Sequence, residues 1–294
     1  MLYDIKLRIQ TRYATAAAGG RHVVCAMPRD LPGRQRLILG HLETDPPADE
    51  RLTRIDFFGN SVTELSLARA HDRLDVSLRA RVERLDDGAA PTGSVPLAEI
   101  EAAARANRQL DATAPQHFCG TTARVQITPE MSAYAQAQVA PGMSTVDAVQ
   151  AVGMALHADM QFDPVATNVD TPAADAFAAR RGVCQDYSHI MIACLRALGI
   201  PAGYVSGYLR TTPPPGKKRL EGADAMHAWV QAWCGPEAGW FGYDPTNACH
   251  IGENHIIAAF GRDYDDVAPI RGVLRGWGGQ SSRQAVDVIP VEGG

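Results

Sequence analysis

The stretch GVCQDYSHIMIACLRALGIP, residues 182–201, decides how the chain is read. Tyr187, Met191, Cys194, Leu195 and Leu198 recur at three- and four-residue intervals, which predicts a helix over about 184–198 with one buried stripe. Gly199 and Pro201 end it. Cys184 stands at its start, where unpaired N–H groups and the positive end of the peptide dipoles favour a thiolate over a thiol. None of the other five cysteines has that placement. Cys194 falls inside the apolar stripe, Cys25 and Cys234 lie in strand-like runs, and Cys119 and Cys249 lie in loop-like segments.

Ala-rich segments at 97–110, 129–140, 144–160 and 171–182 precede this helix and read as helices. Ser144 is placed to cap the third; Thr171, Pro172 and Gly182 are placed to cap, start and close the fourth. Strand-like runs follow at 202–209, 226–234, 239–244, 255–263 and 285–291. Residues 2–9 alternate Leu2, Asp4, Lys6 and Arg8 against Tyr3, Ile5, Leu7 and Ile9, a half-buried strand, and five more short runs follow before residue 85. DDGAAPTGSVP, residues 86–96, separates the two regimes. The expected architecture is therefore α+β: an all-β sandwich-like domain over 1–90 and, over 91–294, helices followed by an antiparallel sheet.

A nucleophilic thiol requires a base and a group that orients the base. HAWVQAWC and GWFGYDP flank GPEAG, whose Gly and Pro suit a hairpin loop, and residues equidistant from that loop face one another. His227 and Asp244 are so placed, a carboxylate holding one imidazole nitrogen while the other faces a thiol. The plainer reading of Asp244 is a turn initiator before Pro245. Of the remaining histidines, His22, His41, His71 and His157 are expected to face solvent, and His117, His189 and His250 lack a telling partner. His255, opening a strand, is harder to dismiss. Trp229 shares the His227 face and is a candidate cleft wall, Gln185 a candidate substrate contact, and Asp186 a helix-dipole residue with a supporting role at the site.

With these residues placed, RRGVCQDYSHIMIACLRALGIPAGYVSGYL, HAWVQAW and GWFGYDPTN resemble the bacterial transglutaminase-like family of papain-like cysteine enzymes. The stretch through FFGNSVTELSLA is similar to the β-rich region that precedes such domains in bacteria. The resemblance implies a papain-like, transglutaminase-like core with Cys184 as nucleophile, His227 as base and Asp244 as the orienting acid. It implies acyl transfer through a thioester, with a peptidase or isopeptidase expected and a transglutaminase-type acyltransferase or a noncatalytic binding module as alternatives. Animal transglutaminases carry tryptophan directly after the nucleophile, where this chain has Gln185, and calcium dependence is not implied.

Composition bounds the partners. The 294 residues are 46% hydrophobic and 21% charged with a net charge of -5, so no basic footprint for nucleic acid is present. No apolar run reaches the roughly 20 residues of a membrane span, and the start lacks signal-peptide features, so a cytoplasmic protein with free thiols is expected. Cys249, His250 and His255 lack the paired spacing of zinc sites, and neither metal nor cofactor is expected. A peptide or protein amide is the expected substrate. For the first domain, substrate presentation and oligomerisation stand as equal readings, and loop 211–225 with Lys217 and Lys218 reads as a solvated loop beside the site, with a lid or acidic-substrate role as the alternative.

Overall fold

A computed structural model describes residues 1–85, 91–211 and 224–291. Lys217 and Lys218, with most of the 211–225 loop, lie outside the described residues. The first strand, β1 (Leu2–Val24), is unbroken over 23 residues where the sequence reads as two strands. Gly19 explains the continuity: at φ +61° it takes a conformation other residues resist, and the pairing shifts register around it instead of ending. Four more strands follow, β2 (Gln35–Asp45), β3 (Glu50–Ile55), β4 (Ser61–Leu67) and β5 (His71–Arg84).

The helical region holds α1 (Ile100–Ala106), α2 (Pro129–Ala137), α3 (Thr145–Asp159), β6 (Gln161–Phe162), α4 (Ala173–Ala179), β7 (Arg181–Gly182) and α5 (Cys184–Ala197). Ser144 caps α3 by accepting the Asp147 N–H. At α4 the expected signals shift by one or two residues. Pro172 occupies the cap position while the Thr171 hydroxyl accepts from Asn168, and the helix ends on Arg180 at φ 54°, ahead of Gly182.

The chain then forms β8 (Ala202–Leu209), β9 (Ala225–Trp233), β10 (Trp240–Asp244), β11 (Cys249–His250), β12 (His255–Gly261), α6 (Tyr264–Val267), β13 (Ile270–Arg275) and β14 (Gln280–Pro290). One sheet has the order β11-β10-β9-β8-β12, antiparallel throughout. α5 packs on it, with Ile190, Met191 and Cys194 of the helix in one core with Ala228, Val230 and Ala232 of β9. Each large apolar side chain so buried stabilises the fold by about 1.5–3 kcal/mol. The helix is thereby seated on the strand that carries His227.

The other sheet has the order β2-β5-β1-β4-β3, with β13 and β14 also paired to β1. Alternation decides its core: Tyr3, Ile5, Leu7 and Ile9 are buried while Asp4, Lys6 and Arg8 are not. Here the structure departs from a division of the chain at residue 90. The last two strands leave the second sheet's region and return to the first sheet, where Tyr3 pairs with Pro290 and Tyr13 with Gln280. Tyr208 of β8 and Ile256 of β12 extend the first sheet's core into the second. No helix among the described residues is long and apolar enough to cross a membrane.

Candidate active site

The start of α5 is braced from within. Val183, at the cap position, has no polar side chain, so the Asp186 carboxylate accepts the Val183 N–H at 2.8 Å and the Thr167 hydroxyl at 2.7 Å. Asp186 is buried; burial raises its pKa, and these two donors oppose the rise. It is thus a supporting residue of the turn that presents Cys184. Gly182 leaves the space for it, since a Cβ there would lie 2.5 Å from Asp186 Oδ2. Cys184 itself is half-buried and opens onto a cleft of about 290 Å³. The thiols of Cys25, Cys194 and Cys234 are buried and pushed up to about 12 by desolvation.

His227 and Asp244 meet as the hairpin argument requires, though by a different register. β10 pairs Tyr243 with Val230 and Trp240 with Trp233, so the ladder continued would set Asp244 opposite Trp229. His227 lies two residues further along β9, on the same face, and is reached diagonally. Its Nε2 donates to Asp244 Oδ2 at 2.7 Å. The register differs because the loop closes later, with Cys234 N–H bonded to the Gly239 carbonyl. A shift of two keeps every side chain on its face; a shift of one would have separated the pair.

Asp244 is fully buried and surrounded by donors. Oδ1 accepts the backbone N–H groups of Thr246 (2.9 Å) and Asn247 (3.2 Å), so the turn-initiator reading also holds. Oδ2 accepts from His227, from Asn247 Nδ2 at 2.7 Å and from His255 Nε2 at 3.2 Å. Burial alone would raise its pKa, but these donors hold it well below the usual carboxylate range. For His227, burial opposes protonation, yet the adjacent Cys184 sulfur and Asp244 raise its pKa to about 10. With Nε2 committed to Asp244, Nδ1 is the nitrogen left to serve Cys184, which lines the same cleft.

Two expected contacts resolve differently. Gln185 lines the cleft and donates to the Val169 carbonyl at 3.1 Å. Trp229 is buried, packed with Val205, Ile251 and Ile257, and is absent from the cleft lining. Its indole lies beneath the histidines instead, 5.2 Å from the His255 ring and 6.1 Å from that of His227. His22 and His71, expected in solvent, are buried, because β1 is paired on both sides where His22 lies. His255 is the member the sequence did not assign; its one signal was a histidine opening an apolar strand.

The His227, Asp244 and His255 donor atoms lie within 4.8 Å of one another, a grouping that invites a metal. Both Nε2 atoms, however, face one carboxylate oxygen at hydrogen-bond distance, so these donors are spent on each other.

Residues 132–245 match the model of the transglutaminase-like superfamily, and residues 3–83 that of the bacterial transglutaminase-like N-terminal region. An uncharacterized protein of Mycobacterium tuberculosis is 33% identical over 298 residues, covering 99% of this chain and 93% of its own length. A protein-glutamine gamma-glutamyltransferase of Pseudomonas aeruginosa is 38% identical over 105 residues, 33% of this chain and 16% of that protein. Among solved structures, one from Cytophaga hutchinsonii, described as "a Putative Cysteine Protease", superimposes with a TM-score of 0.76 at 21% identity, covering 100% of this chain and 92% of that one.

Proposed function

Because the chain belongs to the transglutaminase-like superfamily and carries the bacterial N-terminal region, we propose that it is a thiol-dependent amide-bond hydrolase, a cysteine peptidase or isopeptidase. The observation that carries the reading is the buried relay from Asp244 through His227 to the half-exposed Cys184. Cys184, as thiolate, attacks an amide carbonyl and forms a tetrahedral oxyanion. The Cys184 and Gln185 N–H groups, in the first turn of α5, donate to no helix carbonyl and are placed to donate to that oxygen. His227 delivers its Nδ1 proton to the leaving amine while Asp244 keeps the ring oriented, and the acyl group remains as a thioester. Water, deprotonated by His227, then attacks the thioester, releasing the acid and restoring the thiolate–imidazolium pair.

The cleft supports water as acceptor. Besides Cys184 and His227, its lining includes Gln185, Tyr204, Tyr264 and Gln284, and no Asp, Glu, Lys or Arg among the described residues. An amine arriving as ammonium meets no carboxylate there, and an uncharged peptide segment suits the lining. Gln284 belongs to β14, so the first sheet supplies part of the wall. The second reading, amine transfer, is favoured by the partial likeness to the gamma-glutamyltransferase. Peptide-library turnover with and without a labelled primary amine separates the two. Hydrolysis should dominate and vanish in Cys184→Ala. Amine incorporation faster than hydrolysis would select transfer; turnover surviving in Cys184→Ala would refute the thiol mechanism; and no product from either library would select the noncatalytic module.

A further inference from the structure

His255 is outside the proposed Cys184–His227–Asp244 relay, yet its geometry engages the same carboxylate oxygen. It opens β12, which is separated from β9 by β8 in the sheet order. On the intervening strand the position paired to His227 is Gly207, where a Cβ would lie 2.5 Å from the Trp229 ring and 2.2 Å from the Ile256 carbonyl oxygen. The missing side chain lets the indole fill that space, and the His255 ring packs edge-on against it. Two hydrogen bonds then fix the imidazole. Nδ1 accepts the Gly252 N–H at 3.4 Å, and Nε2 faces Asp244 Oδ2 at 3.2 Å, so the proton belongs on Nε2.

We infer that His255 is a positioning residue: a neutral imidazole that donates Nε2–H to Asp244 Oδ2 and so takes a share of that carboxylate away from His227. This rests on the relay being the reacting set. The charged and titratable groups facing His255 are Asp244 on β10, His227 on β9 and, as a weaker influence, Arg84 at the end of β5. Burial, more than any of these, lowers the His255 pKa and keeps it uncharged. The consequence concerns proton delivery. Held by Asp244 alone, the His227 imidazolium would be a weaker acid toward a leaving amine; a second donor on Oδ2 lessens that hold.

Nitrogen-15 NMR of histidine-labelled wild-type protein tests the tautomer without any turnover, with His255→Gln assigning the signal. Between about pH 6 and pH 9, His255 should show a protonated Nε2 and a bare Nδ1, unchanged. The opposite tautomer, or an imidazolium in that range, overturns the inference. The pH profile of Cys184 alkylation tests the effect on His227. In His255→Leu the upper step, loss of the imidazolium proton, should move up by about half a unit, a threefold change in its dissociation constant. His255→Gln, whose amide N–H replaces the lost donor, should restore the wild-type profile. An unmoved step in His255→Leu, or a Gln profile away from wild type, refutes the role. Should the Leu variant fail to fold, the wild-type tautomer and the Gln profile decide. A wild-type profile with no ion-pair step refutes the relay itself and is distinguishable from both.

Discussion

Asp244→Asn is the sharpest perturbation of the site. The carboxylate takes two backbone N–H groups on Oδ1 and three side-chain donors on Oδ2. An amide offers one oxygen and one NH2, so either orientation sets an NH2 against at least two donors in a buried site. The relief open to His227 is to move its proton to Nδ1 and accept at Nε2, and Nδ1 can then no longer take the Cys184 proton. Losing one charge-assisted hydrogen bond costs about 1.5–3 kcal/mol, roughly a 10- to 100-fold loss in the rate of Cys184 alkylation at neutral pH. For turnover the reversed tautomer deepens the loss toward about 10⁴-fold. Breaking the buried pair also destabilises the fold by about 3–5 kcal/mol. The assay is the second-order rate of Cys184 carboxamidomethylation at about pH 6.5, read by peptide mass spectrometry, beside urea unfolding of the same sample. A folded Asp244→Asn protein that alkylates at the wild-type rate would refute the relay.

Gly182→Ala places a Cβ 2.5 Å from Asp186 Oδ2 and should push that carboxylate off the Val183 N–H. Stability should fall by about 1–2 kcal/mol and Cys184 alkylation several-fold; unchanged labelling would show that this brace does not aim the thiol. The pH dependence of stability follows from His227, whose folded pKa of about 10 lies above the ordinary 6.5. The folded state keeps a proton that the unfolded chain loses above 6.5, so this contribution is complete below 6.5 and lost as pH rises toward 10. With the thiol ionised in the fold, the unfolded chain carries a thiol proton in place of the imidazole's until about pH 8.5, so the net loss falls above it: between about pH 9 and pH 10 the wild type should lose about 1 kcal/mol in urea unfolding, and His227→Gln should lose little. Parallel slopes in the two proteins would refute the raised pKa. Asp244 acts in the opposite direction, its stabilisation present above about 3.8 and lost as pH falls further.

What the sequence made legible was local. The α5 stripe, the Ser144 cap and the β9–β10 hairpin each depend on residues a few positions apart, and each stands in the structure. The hairpin arithmetic missed the register by two residues yet retained the face, because side-chain direction repeats every two residues. Long-range pairing left no such trace. Residues 285–291 alternate like any half-buried strand, and nothing in that pattern says whether the partner is β12 or β1, nearly three hundred residues back. The same blindness hid His22 and His71, whose burial comes from strands stacked over them, and His255, whose partner lies on another strand.

That non-local pairing ties the first sheet to the proposed chemistry. Asp224, immediately before β9, accepts the Val288 N–H at 2.6 Å and the Thr211 N–H at 2.9 Å, joining β14 to the strand that carries His227. Tyr208 seals the same junction by donating its hydroxyl to the Ala26 carbonyl at 2.6 Å, with its ring in the first sheet's core. Gln284, paired with Ile9 in the β1–β14 ladder, then reaches the cleft from the first sheet. A substrate seated against Cys184 therefore meets side chains from both sheets. Docking the first sheet on the second is part of assembling the cleft, and separating them would open one of its walls while leaving the Cys184–His227–Asp244 relay, built entirely from α5, β9 and β10, in place.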